Sequence, residues 1–190
     1  MTSSILPANA VQLRIMLLDT MPNVWRRVVV PDDIELPDLH TVLVLAMGWQ
    51  GWQPHEFEFD AVRFGEPVED WIDDQIRNEH RVSLRKALGP TLRHFEYRYD
   101  YAARWRHWVI VENIRPGGPR RPRARCTGGR HACPPEHVGG AARYREFLRI
   151  IADPEHADHE YARSLTDGLF DPQAFSRETV NAMLREVEVA

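Results

Sequence analysis

Cys126 and Cys133, the two cysteines of the chain, stand at a Cys-x6-Cys spacing in the stretch 125–140, and His131 and His137 share that stretch. Thiolate sulfur and imidazole nitrogen are ligands that zinc prefers, and zinc takes four of them in a tetrahedron. Cys126, Cys133, His131 and His137 are therefore the candidate metal ligands, with His107 in reserve, and zinc is the cofactor they would hold. The spacing is not that of a finger or a ribbon, and no second cysteine pair follows. The competing reading is two free thiols, with Cys133 partly buried beside the Pro134-Pro135 turn, because free cysteine buries like a small hydrophobe.

A second set supports proton transfer. His55, Asp100, His107 and Glu136 are the candidate catalytic residues. Asp100 and His107 fall near the two ends of one expected hairpin, and a carboxylate that orients an imidazole makes a general base. No Gly-x-Ser-x-Gly nucleophile accompanies them, so a hydrogen-bonded pair that fixes a loop is the plainer reading. His156 and His159 lie on one side of an expected helix without a His-Glu-x-x-His pattern, which reads as a solvated face.

A third set binds rather than reacts. Residues 115–135 hold six arginines (115, 120, 121, 123, 125, 130) and no acid. Arg120, Arg121, Arg123, Arg125 and Arg130 are candidate phosphate ligands. Trp105 and Trp108 could stack on bases beside them. Trp49 and Trp52, in a glycine-containing loop next to His55, are candidates to wall a pocket. The competing readings are solvated arginines and core tryptophans. Gly128-Gly129 and Gly139-Gly140 lack the Lys-Ser/Thr of a phosphate loop and do not follow a strand in a βαβ unit, and Gly139-Gly140 reads as a tight turn into the helix that begins near Ala141.

The elements that must position these residues follow from periodicity. Residues 11–18 alternate, 24–30 are β-branched up to Pro31, and the two read as a hairpin. Leu36, Leu39, Val42, Leu43, Ala46 and Met47 share a helical face that begins at Pro37 and stops at Gly48. Strands are expected at 55–59, 61–64, 94–101 and 107–114, and Ser83 caps a short helix to Leu88. Residues 115–125, with three prolines, read as an irregular loop, and the acidic segment around Trp71 as loop or weak helix. Helices follow at Tyr144–Ile151, at 156–165, and from Thr179 to Val187 with Ser176 as cap. The expected fold is α+β: an antiparallel sheet of about five to six strands, one inserted helix and a helical C-terminal part.

The chain has 190 residues, 43% hydrophobic and 27% charged, which suits a single domain over 1–190 with a flexible tail over residues 1–10. A net charge of −4 does not by itself call for nucleic acid. No apolar run approaches the roughly 20 residues of a membrane helix, and no leader pattern opens the chain. A reducing cytoplasm is the expected location.

Five stretches of the chain form a recognisable pattern. They are Trp25-Arg26-Arg27-Val28 ahead of Pro31, Leu39-His40 with Ala46-Met47-Gly48-Trp49, His55-Glu56-Phe57-Glu58, Tyr99-Asp100 with Trp105 and His107, and Cys133-Pro134-Pro135-Glu136 within 126–140. Tyr144, Phe147, Leu148, Asp153-Pro154 and Phe170-Asp171-Pro172 continue it. Together they resemble the plasmid pRiA4b ORF-3-like family, some members of which are described as passenger or resolvase-like proteins of insertion elements. The resemblance runs from about residue 11 to about residue 184. It implies a compact α+β domain of plasmids, mobile elements and chromosomes, with no established reaction. The chain shows no serine or tyrosine recombinase signature. It departs from the family at Gln53, where relatives carry histidine, at Ala102-Ala103-Arg104, where they read Gly-Asp-Gly, and at Val138, where they carry a third cysteine.

Two functions compete. One is a cytoplasmic, mobile-element-associated accessory or binding domain whose partner is nucleic acid or protein. The other is a metal-dependent or His/Asp acid–base enzyme, hydrolase-like, built around His55, Asp100, His107 and the Cys126–Cys133 stretch. The substitutions at Gln53, Ala102-Ala103-Arg104 and Val138 weigh against catalysis. A contiguous basic surface would favour nucleic acid, and convergence of the second set in a cleft would favour the enzyme.

Overall fold

The computed structural model describes residues 7–66 and 75–186. The first residues of the expected tail, the acidic segment around Trp71 and the end of the last helix at Val187 lie outside them. Among the described residues one sheet of eight strands organises the fold. The strands are β1 (Ala10–Leu17), β2 (Trp25–Pro31), β3 (His55–Phe59), β4 (Val62–Gly65), β5 (Ile76–Asn78), β6 (His94–Tyr99), β7 (Trp105–Arg115) and β8 (Arg125–Arg130). Their order is β5-β4-β3-β6-β7-β1-β2-β8, antiparallel except for the β4–β5 pair.

The expected five to six strands thus become eight, by addition of β5 and β8. Both are edge strands, and neither carries a periodic signal. The β8 sequence Arg-Cys-Thr-Gly-Gly-Arg has the composition of a loop, and Gly128-Gly129 sits inside the strand. Pairing with β2 decides the conformation, since Trp25 faces Arg130 and Val29 faces Arg125 across it. At Gly129 a methyl group would fall 2.6 Å from the Phe175 ring and 2.9 Å from Arg26, so only glycine lets these two pack there.

One face of the sheet is apolar. Val11, Leu13 and Ile15 of β1, Val28 and Val30 of β2, Phe57 and Phe59 of β3, and Phe95, Tyr97 and Tyr99 of β6 are all buried on it. Helix α1 (Leu36–Met47) covers this face with Leu36, Leu39, Leu43 and Met47, and ends at Gly48 as its spacing predicts. Each fully buried aliphatic side chain contributes about 1.5–3 kcal/mol. Helix α2 (Leu84–Leu88) starts where Ser83 Oγ accepts from the Lys86 N–H. The C-terminal part supplies α3 (Ala141–Ala152), α4 (His159–Ser164) and α5 (Arg177–Glu186), with Ser176 accepting from the Thr179 N–H at the head of α5.

The other face is charged. Arg98 bridges Glu56, Glu58 and Glu96, Arg63 pairs with Glu56, and Arg106 pairs with Glu96. Ala8 and Asn9, expected in the tail, are held: Ala8 is buried, and the Asn9 backbone and side chain both donate to Asp32. Burial pushes the Asp32 carboxyl up, but hydrogen bonds from Arg85 and Asn9 outweigh it and hold that carboxyl below its ordinary range.

Candidate functional site

The loop 48–54 between α1 and β3 roofs a cluster of histidines and aromatics on the apolar face. The His40 and His55 rings stack with centroids 3.6 Å apart and planes 7° from parallel. His55 Nε2 donates to both oxygens of Glu79, at 3.1 and 3.2 Å. His40 Nδ1 and the Tyr97 hydroxyl share a hydrogen bond of 2.7 Å. Burial, then the neighbouring His55, lowers the proton affinity of His40 to a pKa of about 3, so its ring is neutral at neutral pH. His107 packs on Tyr97 from the next strand and donates from Nδ1 to the Tyr97 carbonyl at 3.2 Å. It is fully buried, its Nε2 has no partner among the described residues, and burial lowers its pKa to about 4.

Of the four catalytic candidates, His55 and His107 flank Tyr97, and Glu136 joins the cluster from the 310 turn Glu136–Val138. The Tyr99 hydroxyl donates to Glu136, which also receives the Gln50 N–H at 2.8 Å. Burial and the bond to Glu136 both raise the Tyr99 pKa. Glu136 therefore ties the 48–54 loop to the sheet, aided by Trp49 Nε1, which donates to the Pro134 carbonyl. Asp100 has a separate task. Its carboxylate accepts the Ala102 and Ala103 N–H groups, and with φ at 59° it ends β6 two residues before the expected Tyr101. No hydrogen bond joins Asp100 to His107 among the described residues. Removing the loop anchor gives a direct test. Glu136→Ala leaves two donors unmet, is expected to cost about 2 kcal/mol, and accelerates amide exchange at Gln50; an unchanged exchange rate there would contradict the anchoring role.

The proposed metal ligands do not assemble. Among the described residues no three His, Cys, Asp or Glu side chains are placed to hold an ion. The Cys126 thiol is buried and donates to the Gly128 carbonyl. Cys133 lies 3.2 Å from both Arg26 Nη2 and Met47 Sδ, and burial pushes its thiol up to about 11. His131 shares a 2.9 Å hydrogen bond with the Asn23 carbonyl, and His137 is exposed. The donor set does not fit zinc because β8 carries Cys126 away from the turn that carries Cys133.

The arginine segment does form a surface. A groove of about 1160 Å³ lies between residues 121–127 and α5, lined by Arg121, Arg123, Arg125, Arg177 and Arg185, with Glu178 as its one carboxylate among the described residues. Arg121 pairs with Asp33 at 3.1 Å and Arg177 with Glu178 at 3.0 Å. Arg123, Arg125 and Arg185 have no acidic partner among the described residues. Arg120 and Arg130 are exposed on either side of that run. Of the candidate tryptophans, Trp49 and Trp105 are core residues at 3% and 1% exposure, whereas Trp52 is 78% exposed.

A family model described as plasmid pRiA4b ORF-3-like protein matches residues 9–179. The chain belongs to the pRiA4b ORF-3-like family. Uncharacterized protein y4hQ of Sinorhizobium fredii (strain NBRC 101917 / NGR234) is 42% identical over 154 residues, which cover 80% of this chain and 78% of that protein. The crystal structure of a protein of unknown function, MM3350 of Methanosarcina mazei Go1, superposes with a TM-score of 0.81 at 26% identity, covering 90% of this chain and 97% of that one.

Several site residues of this pRiA4b ORF-3-like chain escape sequence reasoning. His40 lies on the apolar stripe of α1, four residues after Leu36 and three before Leu43, and a histidine at such a position was the available signal. Glu79 had none, since the loop that carries it has no periodicity. Arg177 and Arg185 belong to a helix far along the chain, and only the fold brings them to the 121–127 segment.

Proposed function

We propose that this pRiA4b ORF-3-like protein is a cytoplasmic accessory domain that binds nucleic acid, with the phosphate backbone lying in the groove between residues 121–127 and α5. The observation that carries this reading is the composition of the groove wall: five arginines, three of them without an acidic partner among the described residues, against one glutamate. Arginine offers a planar fork of donors that matches phosphate oxygens, and its charge persists at any physiological pH. The net charge of −4 is no obstacle, because phosphate binding depends on the local field. The plasmid setting in the family's name adds a mild argument by analogy.

The test is salt-dependent binding of labelled DNA and RNA oligonucleotides by fluorescence anisotropy. Affinity is expected to fall linearly with salt on a log–log plot between about 50 and 200 mM. Replacing Arg123, Arg125 and Arg185 together with glutamine is expected to reduce the slope by about 2–3, since each phosphate no longer neutralised accounts for ~0.7–0.9 of it. A triple variant with the wild-type slope would remove the groove from the account.

A further inference from the structure

We infer that the outer face of the sheet beside the groove is a stacking platform for unpaired bases, so that the polymer bound is single-stranded nucleic acid. The inference rests on the groove reading and extends it to the class of ligand. Its basis is one row of side chains across four neighbouring strands. Trp108 of β7 stands opposite Met16 of β1, Met16 opposite Trp25 of β2, and Trp25 opposite Arg130 of β8. These four residues face away from the apolar side, and both tryptophans are partly exposed. Trp108 already stacks on His94, with ring centroids 4.6 Å apart. Two strand spacings place the tryptophans about 10 Å apart, with the Met16 thioether between them, so the row is a continuous flat surface.

Charge along this row suits a nucleic-acid strand. The guanidinium groups of Arg14 and Arg27 lie 4.9 and 5.3 Å from the Trp25 ring centroid. Guanidinium planes stack on bases as aromatic rings do. The Arg14 side chain makes no hydrogen bond or ion pair among the described residues, and its Nε is buried without an acceptor. Its charge lies over the Trp25 ring and near Glu112, at the centre of the face. The acids nearby are already neutralised: Glu112 by Arg27 at 2.6 Å, and Glu96 by Arg98 and Arg106 at 2.8 and 2.9 Å. Burial opposes, but those arginines still hold the Glu96 carboxyl below its ordinary range, as Arg27 does for Glu112.

The platform and the groove meet on β8. Thr127 lines the groove, and its hydroxyl donates to the Arg27 carbonyl at 3.3 Å. A side chain at Gly128 would come within 3.8 Å of the Trp25 ring, so the glycine leaves that ring uncovered from the β8 side. A strand with its phosphates along Arg125 and Arg123 therefore has the Trp25 side of the sheet within reach of its bases. A duplex cannot use this surface, because its base faces are stacked on one another, whereas a single strand offers a π-face at every nucleotide.

The experiment compares a labelled single-stranded oligonucleotide with its duplex, at equal length and low salt, against wild type, Trp25→Ala, Trp108→Ala and Trp108→Phe. The expected result is a preference of wild type for the single strand. Each alanine variant is expected to lose about ten- to a hundred-fold in single-strand affinity, with little change for duplex. Trp108→Phe keeps an aromatic face and is expected to recover most of that loss, which a merely unfolded variant would not do. Ultraviolet cross-linking of wild type to the single strand is expected to mark the peptides that carry Trp25 or Trp108. Equal binding of both polymers, unaffected by the tryptophan changes but weakened by the arginine triple, would overturn the stacking inference and leave the groove reading standing. Binding of neither polymer would overturn both.

Discussion

Lowering the pH from about 7.5 to about 5 is expected to remove about 4 kcal/mol of folding stability, and His107→Phe to return about half of it. His40 and His107 are held at pKa values of about 3 and about 4 in the folded chain, by burial first and, for His40, by His55 second. Unfolded, both would titrate near the ordinary histidine value of about 6.5. Below that value the unfolded chain takes up protons that the folded chain refuses. Their contribution is therefore complete above about pH 6.5 and is lost as pH falls toward the folded values, at about 1.4 kcal/mol per pH unit for each ring. The paired carboxylates Asp32, Glu96 and Glu112 act in the same direction, but only nearer their own lower range, so pH 5 isolates the histidines. Phenylalanine preserves the packing of His107 on Trp49 and Tyr97, loses one hydrogen bond to the Tyr97 carbonyl and removes a bare nitrogen. Urea unfolding of both proteins at the two pH values is the measurement. A variant as pH-sensitive as wild type would show that His107 does not carry this charge penalty.

Gly140→Ala is expected to cost about 3 kcal/mol or more. Gly140 precedes α3 with φ at 100°, a conformation that a side chain disfavours. A methyl group there would sit 2.3 Å from the Ala103 carbonyl oxygen, which belongs to the loop that Asp100 closes. Neither backbone can yield cheaply, so α3 would detach from the β6–β7 connection. Gly118→Ala is the control, because nothing lies within 4 Å of its added methyl, and its expected change is below about 0.5 kcal/mol. Thermal unfolding of both variants decides the matter, and equal midpoints would show that the approach of Gly140 to Ala103 is not tight in solution.

The legible part of this fold is its locally periodic part. Helix α1 runs from Leu36 to Met47 and stops at Gly48 as the spacing of its leucines dictates, β1 and β3 fall within a residue of where alternation puts them, and β6 starts at the expected His94 but is stopped early by Asp100. The family was legible too, because its motif residues are the ones that hold the 48–54 loop, the Pro134-Pro135 turn and the β6–β7 connection together. The edge strands β5 and β8 were not legible. Their conformation is imposed by a neighbour, and β8 in particular carries two glycines and two arginines in six residues. The candidate sites were half legible for a related reason. The arginine run could be read as a local excess of charge, but the opposite wall of the groove comes from α5, which only tertiary structure brings near. The His40–His55 stack joins a helix to a strand across the loop between them, and no single-sequence pattern encodes a ring-on-ring stack.

The Asn181 side chain on α5 accepts the Cys126 N–H at 2.8 Å and donates to the Cys126 carbonyl at 2.9 Å. A carboxamide that exchanges both bonds with one residue does there what a ninth strand would do, and it does so on the edge of β8 that no strand covers among the described residues. An open β-edge is a template on which further chains can add without limit. Here one side chain occupies that edge at Cys126. The same amide lies in the wall of the arginine groove, so displacing α5 would also uncover this edge, and the groove wall and the cap on the sheet edge are coupled through a single residue.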